Sequence, residues 1–331
     1  MKNYKISFFG AGNIFSKHYS AIKKHRNFFL DEVCEKNKNN NFNFDLLNEE
    51  NKILSKKNLD IISVLTPSGH HFNQTKKILL SKKHAIVEKP LALKIDQIKE
   101  IIKLEKKNKK KVFVVFQHRL NPTVLKLKKF LKEKKLGKIF LISARLYWCR
   151  NDHYYKNNWR GTWRNDGGVV TNQGIHIIDL ITSIFGQFKK VFAKSNTISK
   201  LIETEDICTV SGELKNNIIC NMEFTTAVRP ENLENSITVL GSKGYFKILG
   251  KNLNEYSNFI EKKSKKINIK NLHEKFYEEL YLSLSKKKKN NFSASSSIRS
   301  LETIVSIYQS LKSKKEIAFP INKKFKIKLG N

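Results

Sequence analysis

The chain has 331 residues, 40% of them hydrophobic, with 22 Phe and 3 Trp; this excludes a disordered chain and gives length for two cores. A net charge of +35 arises from 64 Lys and Arg against 29 Asp and Glu. The excess is almost all Lys, in scattered runs such as KLEKKNKKK and SKKKKNN beside abundant Asn, Ile and Phe, which fits AT-rich coding on solvated faces and argues against a nucleic-acid partner.

Cys34, Cys149, Cys208 and Cys220 lack CxxC or other metal spacing, so reduced core thiols and a cytoplasmic protein are expected. No apolar run reaches the ~18 residues of a membrane span, and the start of the chain lacks a cleavage site, so neither export nor a membrane partner is expected.

From residue 4 to about 118, short apolar runs (YKISFFG, FLDEVCE, LDIISVLT, HAIVEKP, KVFVVFQ) alternate with Lys-rich amphipathic stretches. That alternation predicts βαβ units and a parallel sheet covered by helices on both faces. Beyond residue 122 come a helix (PTVLKLKKFLKE), a strand (GKIFLISARLYW), an aromatic loop and a helix (NQGIHIIDLITSIFG). Period-two runs follow (KVFAKSNTI, ICTVSGEL, IICNMEFTTAV, NSITVLGSKGYFKILG), then a closing amphipathic helix, SIRSLETIVSIYQSLKS. The second half is therefore expected to be α+β with an open antiparallel sheet. The polar tract 258–270 is expected to be a mobile loop. Two domains follow, residues 1–121 and 122–331.

Chemistry enters at FFGAGNIF. Gly10 and Gly12 follow a strand and precede a helix, where glycines permit a tight turn and close approach of a pyrophosphate to the helix N-terminus. The third glycine position is Phe15. About 20 residues on, Glu35 ends a second strand where an acid binds a ribose 2′-hydroxyl; it disfavours a 2′-phosphate, so NAD is expected over NADP. TPSGHH (residues 66–71) and EKP (residues 88–90) also fall at C-terminal strand ends, the ligand edge of such a sheet. Asn172 and His176 stand i, i+4 on a helix and share a face; Asp179 is three residues beyond His176 and is expected to orient it. His118, His153 and His273 lack ligand spacing, so no metal is expected.

GAGNI, TPSGHHFNQ, EKPLAL, FQHRLNP, GGVVTNQGIHIIDL and ITVLGSKG, in this order, resemble the glucose-fructose oxidoreductase / inositol dehydrogenase (Gfo/Idh/MocA) family over nearly the whole chain. The resemblance implies an N-terminal Rossmann domain and NAD(P)-dependent oxidation of a sugar or cyclitol hydroxyl. It implies a cofactor set of Gly10, Gly12, Asn13, Ile14, Glu35, Thr66, Pro67, His71, Glu88, Lys89 and Gln117, with Lys89 and His176 as the catalytic pair and Asn172 beside them. A His has an ordinary pKa of ~6.5, suited to taking the hydroxyl proton near neutrality, and Lys89 would hydrogen-bond the developing alkoxide.

Many members carry Asp where this chain has Asn172. The TNxGxH form resembles the branch acting on nucleotide sugars, the UDP-N-acetylglucosamine and UDP-N-acetylglucosaminuronate 3-dehydrogenases of surface polysaccharide pathways, which act on a small-molecule sugar nucleotide. Candidate substrate residues are Arg119, Asn121, Tyr147, Arg150, Tyr155, Trp159, Arg160, Arg164, Asn172 and Asp179. The arginines suit phosphate or carboxylate, and the rings suit stacking or an interface. A free polyol such as inositol is the alternative substrate. The exposed face of the second sheet leads to the expectation of a homo-oligomer, a dimer or tetramer.

Overall fold

The structure, a computed structural model, describes residues 2–35, 46–47, 49–156, 159–269 and 271–320. The chain divides into two compact units, the first Met1–Gln117 with Asn271–Ile298, the second His118–Lys270 with Arg299–Asn331.

The first unit is built on β1 (Tyr4–Phe9), α1 (Phe15–Lys24), β2 (Phe28–Cys34), β3 (Leu46–Leu47), α2 (Glu50–Ser55), β4 (Ile61–Val64), α3 (Ser68–Leu80), β5 (His84–Val87), α4 (Ile95–Asn108) and β6 (Val112–Val114). Its sheet runs β3-β2-β1-β4-β5-β6, and every pairing is parallel. Ile61, Ile62 and Val64 are fully buried, as are Ala85, Ile86, Val87, Val112 and Val114, because helices cover both faces of a parallel sheet. From β1 the chain moves outward to β2 and returns to β4 on the other side of β1. The crevice at that reversal is where an open sheet of this kind accepts its ligand.

The second unit starts with a 3-10 turn at Gln117–Leu120, whose last three residues belong to it, and α5 (Pro122–Lys132). Asn121 caps α5 by accepting from the Thr123 backbone N–H, and Pro122 at the first helical position needs no N–H partner. Next come β7 (Ile139–Tyr147), α6 (Asp152–Tyr155), a π-helical turn (Val170–Gly174) leading straight into α7 (Ile175–Phe185), and strands β8 (Phe188–Asn196), β9 (Ile207–Leu214), β10 (Ile219–Thr225), β11 (Glu234–Gly241), β12 (Gly244–Leu249), β13 (Glu255–Asn258) and β14 (Lys265–Lys266).

The chain then returns to the first unit. Asn271 caps α8 (Leu272–Leu284), which buries Phe276, Tyr277 and Leu280 and packs on α1. A single division at residue 121 does not foresee this return, although the spacing of Leu272, Phe276 and Leu280 behind an Asn cap was a legible helix signal. In the second unit α9 (Ile298–Ser313) and β15 (Ile317–Ala318) follow.

The second sheet runs β14-β13-β12-β11-β7-β10-β9-β8-β15. It is mixed, not wholly antiparallel: β7 and β10 pair in parallel, with Leu141 opposite Ile219 through Tyr147 opposite Thr225. All other pairs are antiparallel. Ile142, Ala144, Leu146, Cys220, Met222 and Phe224 point to the covered face, and the residues between them point to the open one. The tract expected to be a mobile loop holds the end of β13 and all of β14; its Lys270 lies outside the described residues. No helix among the described residues is long and apolar enough to cross a membrane.

Candidate active site

At the switch point of the first sheet, Gly10 has φ of 93°, a left-handed conformation, and a Cβ there would meet the backbone of Leu65 and Thr66 at 3.0 Å. Asn13 is exposed and Ile14 half-buried beyond it; α1 begins with no side-chain cap, and the Phe15 N–H closes the turn on the Gly12 carbonyl at 2.9 Å. Phe15, in the third glycine's place, is fully buried with its ring edge-on to Phe8 at 5.1 Å. A large ring thus fills the interval between helix and strand that a glycine would close.

Glu35 stands directly after β2, and its Oε2 accepts from the Ala11 N–H at 2.7 Å, which holds the carboxylate against the glycine turn. At the next strand end Thr66 donates to Gln74 at 2.5 Å, and Pro67 precedes α3. Gln117, half-buried past β6, has a buried Oε1 with no hydrogen-bond partner among the described residues, as a group facing a bound dinucleotide would have. These residues fit NAD.

Two members of the expected cofactor set are placed otherwise. His71 is 1% exposed, and its ring nitrogens lie 2.7 Å from the carbonyl oxygens of Pro90 and Thr66. Burial lowers its pKa against those two carbonyls, and the ring bridges the two loops. Glu88 is buried too, its Oε1 3.1 Å from His18 Nε2 and its Oε2 accepting from the Lys89 N–H at 3.2 Å. Both are framework for the loop, not contacts for the cofactor. Lys89 itself is half-buried at the end of β5.

In the second unit Asn172 lies in the π-helical turn and His176 in the first turn of α7, both half-buried while their neighbours are buried. They share a face, as their spacing predicts. Asn172 Nδ2 donates to Asp166 Oδ1 at 2.5 Å, and Asp166 Oδ2 accepts from the Gly161 N–H. The ring next to His176 is His118, edge-on with centroids 4.9 Å apart.

Asp179 does not orient His176. It is 1% exposed, and its two oxygens accept from Arg119 Nε at 2.7 Å and Nη2 at 2.5 Å and from Ser300 at 2.8 Å. Arg119 and Asp179 are therefore a buried bidentate pair that ties the 3-10 turn to α7, not substrate contacts. Asn121, fully buried, donates to the carbonyls of Asn252 and Leu253 besides capping α5, and is structural as well.

Sequence reasoning also missed Glu205 and Tyr308. Glu205 Oε1 accepts from the Val170 N–H at 3.1 Å and the Tyr308 hydroxyl at 2.8 Å, which anchors the start of the π-helical turn from β9's side. Burial pushes the Glu205 carboxyl up to about 7, against those two hydrogen bonds. A Cβ on Gly168 would collide with this carboxylate, which accounts for one glycine of the GG pair. Glu205 and Tyr308 are 35 and more residues from the turn they hold, and spacing carries no trace of them.

The aromatic loop is ordered as a ladder. Arg150 lies over Trp148 at 4.7 Å and over Tyr154 at 5.2 Å, and Arg160 over Tyr154 at 4.5 Å and Trp159 at 4.8 Å. Guanidiniums and rings thus alternate, and each cation is also held by a backbone carbonyl, Arg150 donating to Cys149 at 2.8 Å and Arg160 to Tyr154 at 3.3 Å. Arg164 is exposed. Two expected members leave the set: Tyr155 is buried with its hydroxyl 2.8 Å from Thr226, and Tyr147 is on the open face of the sheet, donating to Glu223, opposite the face that α7's side covers.

Against known proteins, residues 4–116 match the oxidoreductase family, NAD-binding Rossmann fold, and residues 124–247 match the GFO/IDH/MocA C-terminal domain. The chain is 26% identical to the glucose-6-phosphate 3-dehydrogenase of Bacillus subtilis over 264 residues, 73% of each protein. Its fold is similar to that of the WlbA dehydrogenase from Bordetella pertussis, solved with NADH and UDP-GlcNAcA (TM-score 0.89, 25% identity, 97% of this chain and 99% of that one). It is equally similar to the WlbA dehydrogenase from Chromobacterium violaceum, with the same ligands (TM-score 0.89, 28% identity, 97% of each chain).

Proposed function

Because the chain belongs to the GFO/IDH/MocA oxidoreductase family and is an NAD-dependent enzyme, we propose that it oxidises a secondary hydroxyl, at C3, of a UDP-N-acetylglucosaminuronate-like nucleotide sugar. The observation that carries the substrate class is the Trp148–Arg150–Tyr154–Arg160–Trp159 ladder, which aligns two fixed cations and three ring faces on one loop. A diphosphate and a base offer the matching chemistry, and the two WlbA enzymes bind such a ligand.

NAD, when bound, would supply the hydride acceptor. Within the protein, His176 takes the hydroxyl proton and Lys89 donates a hydrogen bond to the oxygen as charge gathers on it. Asn172, held by Asp166, presents a neutral amide on the same helix face as His176, and so does not repel an acidic sugar. Glu35 meets the adenosine ribose and excludes a 2′-phosphate.

A phosphorylated hexose is the second reading, favoured by the glucose-6-phosphate 3-dehydrogenase relative. The open face of the second sheet, with Ile219 exposed on β10, supports a homo-oligomer.

The deciding experiment supplies NAD with UDP-N-acetylglucosaminuronate, UDP-N-acetylglucosamine, glucose 6-phosphate and free inositol, and follows absorbance of the reduced cofactor. UDP-N-acetylglucosaminuronate should be fastest. Substituting Arg150 or Arg160 by Ala should raise its KM about ten- to a hundredfold, the ~1.5–3 kcal/mol of a charged hydrogen bond. Faster oxidation of inositol, with both arginine variants silent, would replace this reading with the polyol one.

A further inference from the structure

The first unit contains a buried polar cluster that neither cofactor binding nor proton removal uses. Glu88 Oε1 lies 3.1 Å from His18 Nε2 and 3.8 Å from His273 Nε2. Exposure is 0% for the His18 side chain and 5% for that of His273. The far side of each ring is also engaged: His18 Nδ1 is 3.0 Å from the Tyr277 hydroxyl, and His273 Nδ1 is 3.2 Å from Asn271 Oδ1.

The Asn271 amide fixes the proton on His273. Its Oδ1 caps α8 by accepting from the His273 backbone N–H at 3.0 Å, while its Nδ2 donates to the Lys17 carbonyl at 3.2 Å. The atom facing His273 Nδ1 is thus an oxygen that can only accept, so Nδ1 carries a proton. In a neutral ring Nε2 would then aim its lone pair at the Glu88 carboxylate, inside the protein and with no hydrogen-bond partner of its own. A second proton, on Nε2, turns that clash into an ion pair.

His18 needs no such charge. Its burial lowers its pKa against the Glu88 hydrogen bond that raises it, and the neutral ring can donate from Nε2 to Glu88 while Nδ1 accepts from Tyr277. Burial alone would raise the Glu88 carboxyl, but His18 and His273 packed against it hold it well below the usual carboxylate range. One carboxylate and one imidazolium leave the site neutral. The other groups facing the loop are Lys89 itself and His71, which reaches the Pro90 carbonyl from α3.

We propose that Glu88 is a positioning residue for Lys89, its carboxylate locked by neutral His18 and doubly protonated His273 so that Oε2 holds the Lys89 backbone N–H. This rests on Lys89 being the group that meets the substrate oxygen. The mechanical argument is short. The Lys89 side chain starts from a backbone bonded on one side to Glu88 and followed on the other by the Pro90 carbonyl at His71, so its root cannot shift without breaking a buried contact. Displacement of a catalytic group by about 1 Å costs up to ~10²-fold in rate.

The test uses the full chain with NAD bound. Nitrogen-15 spectra of labelled histidines at pH 7 should show one ring protonated on both nitrogens, missing in His273→Gln, and one protonated on Nε2 alone, missing in His18→Gln. A singly protonated His273, or one zinc ion per chain surviving dialysis against chelator, would overturn the charge assignment. Glu88→Gln and His273→Gln should each lower kcat about ten- to a hundredfold while Kd for NAD and KM for the sugar stay within about twofold. A merely structural role would instead lower the folded fraction and leave kcat per folded molecule intact, which overturns positioning. Should Glu88→Gln not fold, Glu88→Asp takes its place with the same expectation, since it keeps the charge but withdraws it from the Lys89 N–H. Lys89→Ala separates the two readings. Near-normal turnover there removes the role of Lys89, whereas an inactive Lys89→Ala beside fully active Glu88 and His273 variants removes only the positioning.

Discussion

The two units keep the side chains proposed for the site in place by different means. In the first, Gly10, Glu35 and Lys89 sit at the ends of parallel strands, where position follows from the strand order and the contacts are made by nearby backbone, such as the Ala11 N–H on Glu35. In the second, Asn172 and His176 ride on a helix whose seat is made by partners distant in the chain. Arg119 grips Asp179 60 residues away, and Tyr308 grips Glu205 103 residues away. A site at strand ends is a product of topology; a site on a seated helix is a product of buried charge.

The strongest challenge to that contrast is Asp179→Ala, which leaves Arg119 buried without its partner. Stability of the second unit should fall by ~3–5 kcal/mol, the cost of breaking a buried pair, read by urea unfolding. If stability held and only turnover fell, Asp179 would act through His176 after all.

Next in size, Lys89→Ala and His176→Ala should each cut turnover by ~10² or more with NAD affinity nearly unchanged, measured by steady-state rates and by cofactor titration. Should the Lys89 variant lose NAD binding instead, the strand-end residue would be part of the nucleotide cradle and the contrast would need redrawing.

A smaller effect is expected from Glu35→Ala. Preference for NAD over NADP should shrink by about tenfold, the ~1.4 kcal/mol scale of a charged hydrogen bond, in competition titrations. Wild-type protein binding NADP at least as tightly as NAD would remove Glu35 from ribose recognition.

The gentlest test uses pH, because the units should respond in opposite directions. His84, in the first, is lowered to about 4 by burial and by Lys110, Lys111 and Lys2, below its ordinary 6.5. The folded form therefore binds fewer protons than the unfolded between these values, and the His84 contribution is present above pH 6.5 and lost as pH falls toward 4. Glu205, in the second, is raised by burial from 4.5 to about 7. Its protonated form is favoured by folding, so its contribution is full below pH 4.5 and is lost as pH rises through 7. Compared with wild type, His84→Gln should flatten the acid limb of stability and Glu205→Gln the limb toward pH 8, in unfolding curves at pH 5, 6.5 and 8. Identical slopes in wild type and Glu205→Gln would mean that the buried carboxyl does not titrate there.

Much of this molecule is legible without coordinates wherever the cause is local. Alternating apolar runs and turn glycines announce the parallel sheet, and the i, i+4 spacing of Asn172 and His176 does put them on one face. Three kinds of feature were not. The π-helical turn under Asn172 depends on Glu205 and Tyr308 bonding its first residues, which no window of sequence contains. Tyr147 and Tyr155 read as substrate-facing rings, but the pleat of β7 turns one to the open face and a bond to Thr226 buries the other. Glu88, His71, Arg119, Asn121 and Asp179 look like ligand contacts because they are polar and close to motifs. Each is buried and bonded to a protein partner instead.

The return of Asn271–Ile298 to the first unit governs the order in which the protein can be made. A ribosome that has released only the first 120 residues has delivered all six strands of the nucleotide-binding sheet but neither His273 nor Tyr277, so Glu88 waits with half of its setting missing and α1 has no α8 to cover it. Vectorial synthesis normally lets an N-terminal domain finish first. Here it must pause, with an exposed apolar flank, until some 150 more residues have passed through the tunnel, a number set by the inserted segment from His118 to Lys270. The same threading means that trimming the gene at residue 121 would yield an unfinished half rather than a small dinucleotide-binding protein. Joining the return helix to that half through a short flexible linker is the more promising way to make it stand alone.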